Sequence, residues 1–158
     1  SQGGPLMHVI AAKAVCFKEA MTDDFVNYQK QIIKNAKSMC EDFQKLGFET
    51  VQPQTDNHLL LLDLRNKNIT GKDAEELLGK VNITLNKNSI PNDPESPFVT
   101  SGVRIGTAAV TTRGFKEEEC SEIVKLIREA IENKDKPEIL QKVKMKASDL
   151  CSKFPVYK

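Results

Sequence analysis

Leu59-Leu60-Leu61-Leu62-Asp63-Leu64 and, shortly after it, Thr70-Gly71-Lys72-Asp73-Ala74-Glu75-Glu76-Leu77-Leu78 carry two different hydrophobic patterns. The first is short, apolar and bounded by loop residues, the pattern of a buried strand. The second opens on Thr70, with Asp73 three positions on as a variant capping box, so a helix should run from there to about Leu78. A strand followed at once by a helix, with further strand candidates beyond, sets the frame for the rest of the chain.

Upstream, Leu6, Val9, Ile10, Ala14 and Phe17 recur at helical spacing behind Pro5, which suits a helix start. Thr22-Asp23-Asp24 then supplies capping chemistry. Phe25, Tyr28, Ile32, Ala36, Met39, Phe43 and Leu46 repeat the pattern until Gly47, a helix stop. Phe48–Val51 is a short strand candidate, and Pro53-Gln54-Thr55-Asp56-Asn57 is a loop.

Downstream, Val81–Leu85 and Val103–Ala109 read as strands. Between them, Asn86 to Gly102 is irregular and holds Pro91, Pro94 and Pro97. An irregular stretch of that length inside a compact domain is either functional or disordered. Helices are expected over 116–133 and, from Pro137, over roughly 138–151. The order ααββαββαα suits an α+β sandwich with helices packed on a mostly antiparallel sheet.

At 158 residues the chain can bury a real core, and its net charge of +1 argues against a nucleic-acid partner held by a broad basic field. No apolar run reaches membrane-spanning length and no signal pattern opens the chain, so a soluble, cytoplasmic protein is expected. Cys16, Cys40, Cys120 and Cys151 are far apart and form no C-x-x-C pair, which points to reduced thiols and to no metal site. Ser1-Gln2-Gly3-Gly4-Pro5 has no initiator Met and opens on a glycine-rich turn, so truncation or proteolysis of a longer chain is expected.

Four segments in register carry a family resemblance. They are Gln2-Gly3-Gly4-Pro5 with Leu6-Met7-His8; Thr55-Asp56-Asn57-His58; Asn86-Lys87-Asn88-Ser89-Ile90-Pro91; and Ser101-Gly102-Val103-Arg104-Ile105-Gly106 with Thr112-Arg113-Gly114-Phe115. Together they resemble serine hydroxymethyltransferases over nearly the whole chain, and the loop Pro91-Asn92-Asp93-Pro94-Glu95-Ser96-Pro97-Phe98 resembles the bacterial type. Two departures stand out. Pro53-Gln54 occupies a place that commonly holds Gly-Gly, and Gly106-Thr107-Ala108-Ala109 replaces the common G-T-P-A.

The resemblance implies the C-terminal small α+β domain of a fold-type I, aspartate-aminotransferase-like enzyme that uses pyridoxal phosphate (PLP). Residues 1–46 would be connecting helices from a large cofactor domain, and 47–158 the small domain. It implies a homodimer that acts on serine, glycine and tetrahydrofolate. The family's T-T-T-H-K motif with the cofactor lysine does not occur in these residues, nor do its pyridine-nitrogen aspartate and ring-stacking histidine. No catalytic residue is therefore assigned in this chain, and the chain alone is expected to be inactive.

Arg104 offers a planar fork that matches a carboxylate, and the family's matching arginine binds the carboxylate of serine or glycine. From pattern alone a structural salt bridge at a strand end is the plainer reading. Gly3 and Gly4 can bring amides close to an anion before a helix, and in the family this pair reaches the PLP phosphate of the neighbouring subunit. An ordinary turn is the plainer reading. Asn88 can donate and accept at once, and the family's matching asparagine contacts the folate pterin; capping a turn is its alternative. Ser96, Pro97 and Phe98 would border the folate or merely pack their loop. His8 and His58 have no nucleophile pattern beside them, and Glu117, Glu118 and Glu119 suit a helix start. A non-catalytic interaction domain and a folate-free relative such as a threonine aldolase are the rival readings.

Overall fold

The computed structural model describes residues 3–156; Ser1 and Gln2 of the first motif, and Tyr157 and Lys158, lie outside the described residues. Helix α1 runs Met7–Ala20 and α2 runs Asp23–Lys45. Thr22 caps α2, its hydroxyl accepting from the Phe25 amide at 3.3 Å. The helix stops where expected. Gly47 takes φ 74°, and the Phe48 amide reaches back to the Phe43 carbonyl at 3.0 Å, satisfying an end-of-helix acceptor.

Strands β1 (Glu49–Thr50), β2 (Leu59–Asp63), β3 (Asn86–Asn88) and β4 (Gly102–Gly106) form one antiparallel sheet in the order β1-β2-β4-β3. Helix α3 (Gly71–Lys80) connects β2 to β3, which therefore flank β4 in parallel. At its start the Thr70 hydroxyl accepts from the Asp73 amide at 3.1 Å and donates to the Asp73 carboxylate at 2.7 Å. Helices α4 (Ala108–Arg113), α5 (Glu117–Glu132) and α6 (Pro137–Lys153) complete the chain.

This is the expected α+β architecture. Leu60, Leu62, Val103 and Ile105 turn inward from β2 and β4 to meet Met39 and Phe43 of α2, Leu78 of α3, Leu126 and Ile127 of α5, and Val143 of α6. Each such side chain contributes about 1.5–3 kcal/mol by leaving water. Helix α2 enters this core only from Ile32 onward, whereas α1 has no buried residue.

The structure departs from the sequence reading at β3, and at the end of β4, where helix α4 follows. Val81–Leu85 is not a strand: Val81 ends α3, Asn82 takes φ 64°, and Val81 and Leu85 are buried as loop residues. The strand is Asn86–Asn88, because those residues lie opposite Gly102–Arg104. Val103–Ala109 is a strand only to Gly106. The Thr107 amide makes the last tie, to the His58 carbonyl at 3.0 Å, and the chain then coils into α4. The four cysteines are free; Cys40 and Cys120 are buried, as packed thiols should be. No helix is long and apolar enough to cross a membrane, among the described residues.

Candidate functional site

Alternation along β4 divides its residues between two faces. Val103 and Ile105 enter the core, so Arg104 stands on the other side, exposed. Register sets its neighbours: Leu61 of β2 on one flank, Asn86 of β3 on the other, and Asn88 opposite Gly102 one rung along. Arg104 and Asn88 line one cavity of about 410 Å³, with Cys40 of α2, Leu59, Leu61, Thr50 of β1 and residues of the loop that follows it, among them Gln54 and Asn57.

The loop wall is tied down at both ends. The Thr55 hydroxyl donates to the Leu59 carbonyl at 2.7 Å, and the Asn57 carboxamide oxygen accepts from the Leu59 amide at 2.8 Å. From α2, the Gln44 amide group donates to the Thr50 hydroxyl at 2.7 Å and to the Pro53 carbonyl at 2.8 Å. The departure at Pro53-Gln54 thus falls in a segment that α2 holds directly.

Arg104 makes no ion pair and no side-chain hydrogen bond among the described residues. Arg65 is the contrast. Its Nε reaches both Asp63 oxygens at 3.0 Å and a terminal nitrogen reaches Oδ2 at 2.6 Å. These bonds hold the Asp63 carboxyl below its ordinary range. A structural arginine at this sheet is therefore Arg65, while Arg104 presents a free guanidinium to the cavity. Asn88 is half-buried; its amide nitrogen donates to the Ser89 carbonyl at 2.7 Å, which leaves its oxygen without a partner among the described residues.

The loop between β3 and β4 is ordered by a residue that the sequence reading did not single out. Asp93 accepts from the Ser101 hydroxyl at 2.6 Å and from the amides of Ser101 at 2.9 Å, Glu95 at 2.9 Å and Ile90 at 3.1 Å. Desolvation pushes its pKa up, but the Ser101 hydroxyl and these amides outweigh it and bring it down to about 2. The available signal was Asn92-Asp93-Pro94, a turn in which an Asp carboxylate binds nearby amides. Ser96, Pro97 and Phe98 are exposed on this loop, outside the 410 Å³ cavity. Phe98 is 83% exposed and so does not pack the loop. The Ser96 carbonyl accepts from Val99 and Thr100 at 3.0 and 2.9 Å.

Gly3 and Gly4 precede α1 with open space around them, away from the cavity. The first turn of α1 has no acidic residue and its N-cap makes no side-chain bond, so the helix start carries free amides. His58 does not line the cavity; its carbonyl accepts from Thr107. Glu117 accepts from Gln31 at 2.8 Å and Glu119 from the Lys116 amide at 2.9 Å, both structural tasks.

The model of the serine hydroxymethyltransferase family matches residues 1–127. The chain belongs to that family. It is 57% identical over 157 residues to serine hydroxymethyltransferases of Acinetobacter baumannii strains AYE, ACICU and AB0057, covering 99% of this chain. The chain spans 38% of the length of those relatives. Its helices on a small antiparallel sheet suit the small C-terminal domain of a fold-type I serine hydroxymethyltransferase.

Proposed function

We propose that this chain is the substrate-gripping, C-terminal part of a PLP-dependent serine hydroxymethyltransferase. The whole protein reversibly transfers the hydroxymethyl carbon of serine to tetrahydrofolate, giving glycine and 5,10-methylenetetrahydrofolate. The observation that carries this reading is the free guanidinium of Arg104, standing on the wall of a cavity it shares with Asn88. Arg104 binds and orients the amino-acid carboxylate through paired N–H donors. Asn88 hydrogen-bonds the pterin, and Ser96, Pro97 and Phe98 border the folate.

The described residues fit a supporting role toward PLP. No lysine lines the cavity, while Gly3 and Gly4 have open space beside free helix amides, which suits a phosphate brought by a neighbouring subunit. When bound, PLP supplies the electron sink for chemistry at the substrate's α-carbon. Residues 1–46 act as connecting helices toward a large cofactor domain and 47–158 as the small domain, in a cytoplasmic homodimer. The exposure of Met7, Val15, Phe17 and Met21 supports such a packing partner.

Calorimetric titration of the full-length protein with serine tests the reading. Two charge-assisted bonds are worth about 3 kcal/mol, so Arg104→Ala should weaken serine binding at least about 100-fold. Asn88→Ala should leave serine binding alone and weaken folate binding about ten-fold. Unchanged serine affinity in Arg104→Ala overturns the proposal.

A further inference from the structure

Asn88 and Arg104 sit on antiparallel strands joined by the 89–101 loop, and Asp93 ties the two ends of that loop together. Its Oδ2 accepts from Ile90, two residues after Asn88, and from the Ser101 amide, three residues before Arg104. Its Oδ1 takes the Ser101 hydroxyl and the Glu95 amide. Ser101 is buried and its carbonyl accepts from Leu64 at 2.9 Å, so the tie continues into the end of β2.

Next to this knot Thr100 takes φ 61°, a conformation that a β-branched residue adopts only when its surroundings force it. The forcing bonds are visible. The Thr100 amide donates to Ser96 at 2.9 Å and its carbonyl accepts from Gly71 at 2.9 Å. Gly71 lies so close to Thr100 and the Gly102 carbonyl that no Cβ would fit there. Gly102 is equally hemmed in, with the carbonyls of Leu62 and Asn88 at 2.6 and 2.9 Å from where its Cβ would stand. The backbone leading into Arg104 is thus fixed from three directions, and the Asp93 carboxylate bonds the loop residues Ile90 and Ser101 that flank the two strands.

We propose that Asp93 is a positioning residue for both ligands, holding Asn88 and Arg104 at one separation so that amino acid and folate are gripped in a common geometry. This rests on the functional reading above and deepens it, since Asp93 does not line the cavity that Arg104 and Asn88 share. An asparagine in its place keeps the volume. With its oxygen toward Ile90 and the Ser101 amide, its NH₂ faces the Glu95 amide, donor against donor. Ser101→Ala removes a single bond of the same hub and is the milder variant.

The test uses the full-length protein with two readouts: hydrogen exchange of peptides covering residues 86–104, and calorimetric affinities for serine and for tetrahydrofolate. Asp93→Asn should exchange at least about ten-fold faster across 86–104 with β1 and α5 unchanged, and bind both ligands about ten-fold more weakly. Ser101→Ala should shift both in the same direction by less, and combined with Asp93→Asn should add little. Faster exchange in the loop with both affinities intact overturns the positioning role while leaving the functional reading standing. Exchange that accelerates everywhere, or nowhere, overturns it too, because the hub would then be a general stabiliser or no hub. A wild-type protein that binds neither ligand overturns the functional reading, and the positioning role with it.

Discussion

Replacing Asn35 by aspartate swaps one donor group for an acceptor at a fully buried site. Asn35 is fully buried in α2 and donates to the Thr111 hydroxyl at 2.8 Å and to the Phe115 carbonyl at 2.9 Å, while its oxygen accepts from Gln31 at 2.9 Å. Thr111 cannot turn to help, because its own proton already goes to the Thr107 carbonyl at 2.7 Å. An ionised aspartate at this position would aim a carboxylate oxygen at two acceptors. Two lost bonds cost about 1 kcal/mol each, and the stranded carbonyl and buried charge add more, for a total of about 3–5 kcal/mol. The cost has a predictable pH dependence. Burial and facing acceptors raise the folded-state pKa of such an aspartate above its unfolded value of about 3.9. The penalty is therefore smallest below about pH 3.9, where the acid can still donate one bond, grows as pH rises, and levels off above the raised pKa. Urea unfolding of wild type and Asn35→Asp, followed by far-ultraviolet circular dichroism between about pH 4 and 8, measures it. A penalty under about 1 kcal/mol at pH 8, or one independent of pH, would refute this account of the network.

Gly102→Ala should cost at least about 2 kcal/mol and loosen the Asn88–Gly102 rung, since a methyl there meets the fixed Leu62 and Asn88 carbonyls as well as the Ile90 side chain; a thermal melt within error of wild type would contradict that. The Asp93 hub contributes stability in its ionised form, so its contribution should be complete above about pH 3.9 and decay as pH falls through about 2; comparing acid unfolding of wild type and Asp93→Asn reads the difference. Thiol titration of the native chain should modify exposed Cys16 first. Cys120, buried and pushed up to about 12 chiefly by desolvation, should react only on unfolding, and early labelling of Cys120 would show the core to be open.

The helices were readable because each carries its own instructions. Thr22 and Thr70 cap as their side chains predict, Gly47 supplies the positive φ that ends α2, and the apolar spacing of α2 from Ile32 to Phe43 is the face that is buried. The misses have non-local causes. Asn86-Lys87-Asn88 has poor strand propensity and is a strand because β4 lies beside it and the Glu75 carboxylate accepts from the Lys87 amide at 3.0 Å. Helix α4 is only six residues long and is held by α2, through Asn35 to Thr111 and Tyr28 to Thr112 at 2.7 Å. The same limit applied to the site. Arg104 and Asn88 could each be singled out by chemistry and motif, but their sharing of a cavity follows from the register of β3 on β4.

Helix α1 brings these threads together. A helix that packs by one face onto its own domain shows polar residues on the other. In α1 apolar residues point all round: Met7, Val9, Ile10, Val15 and Phe17 are all exposed, as is Met21 just beyond, at 86%. Helix α2 changes character partway, with Phe25 and Val26 exposed at its start and every buried position at Ile32 or later. One continuous helix therefore belongs to two environments. Its second half is clamped to the strand-to-helix corner after Arg104 by the Thr107 hydroxyl, which donates to the Ile32 carbonyl at 2.9 Å, and by the Asn35 network. In the proposed enzyme, a large domain packed on α1 and the start of α2 would be linked through α2 to the strand that carries Arg104. The buried hydrogen bonds at Asn35 and Thr107 would then couple a displacement of that domain to the corner that follows β4. In the proposed enzyme this makes the setting of Arg104 a property of how the connecting helices dock, as much as of the small domain in which Arg104 sits.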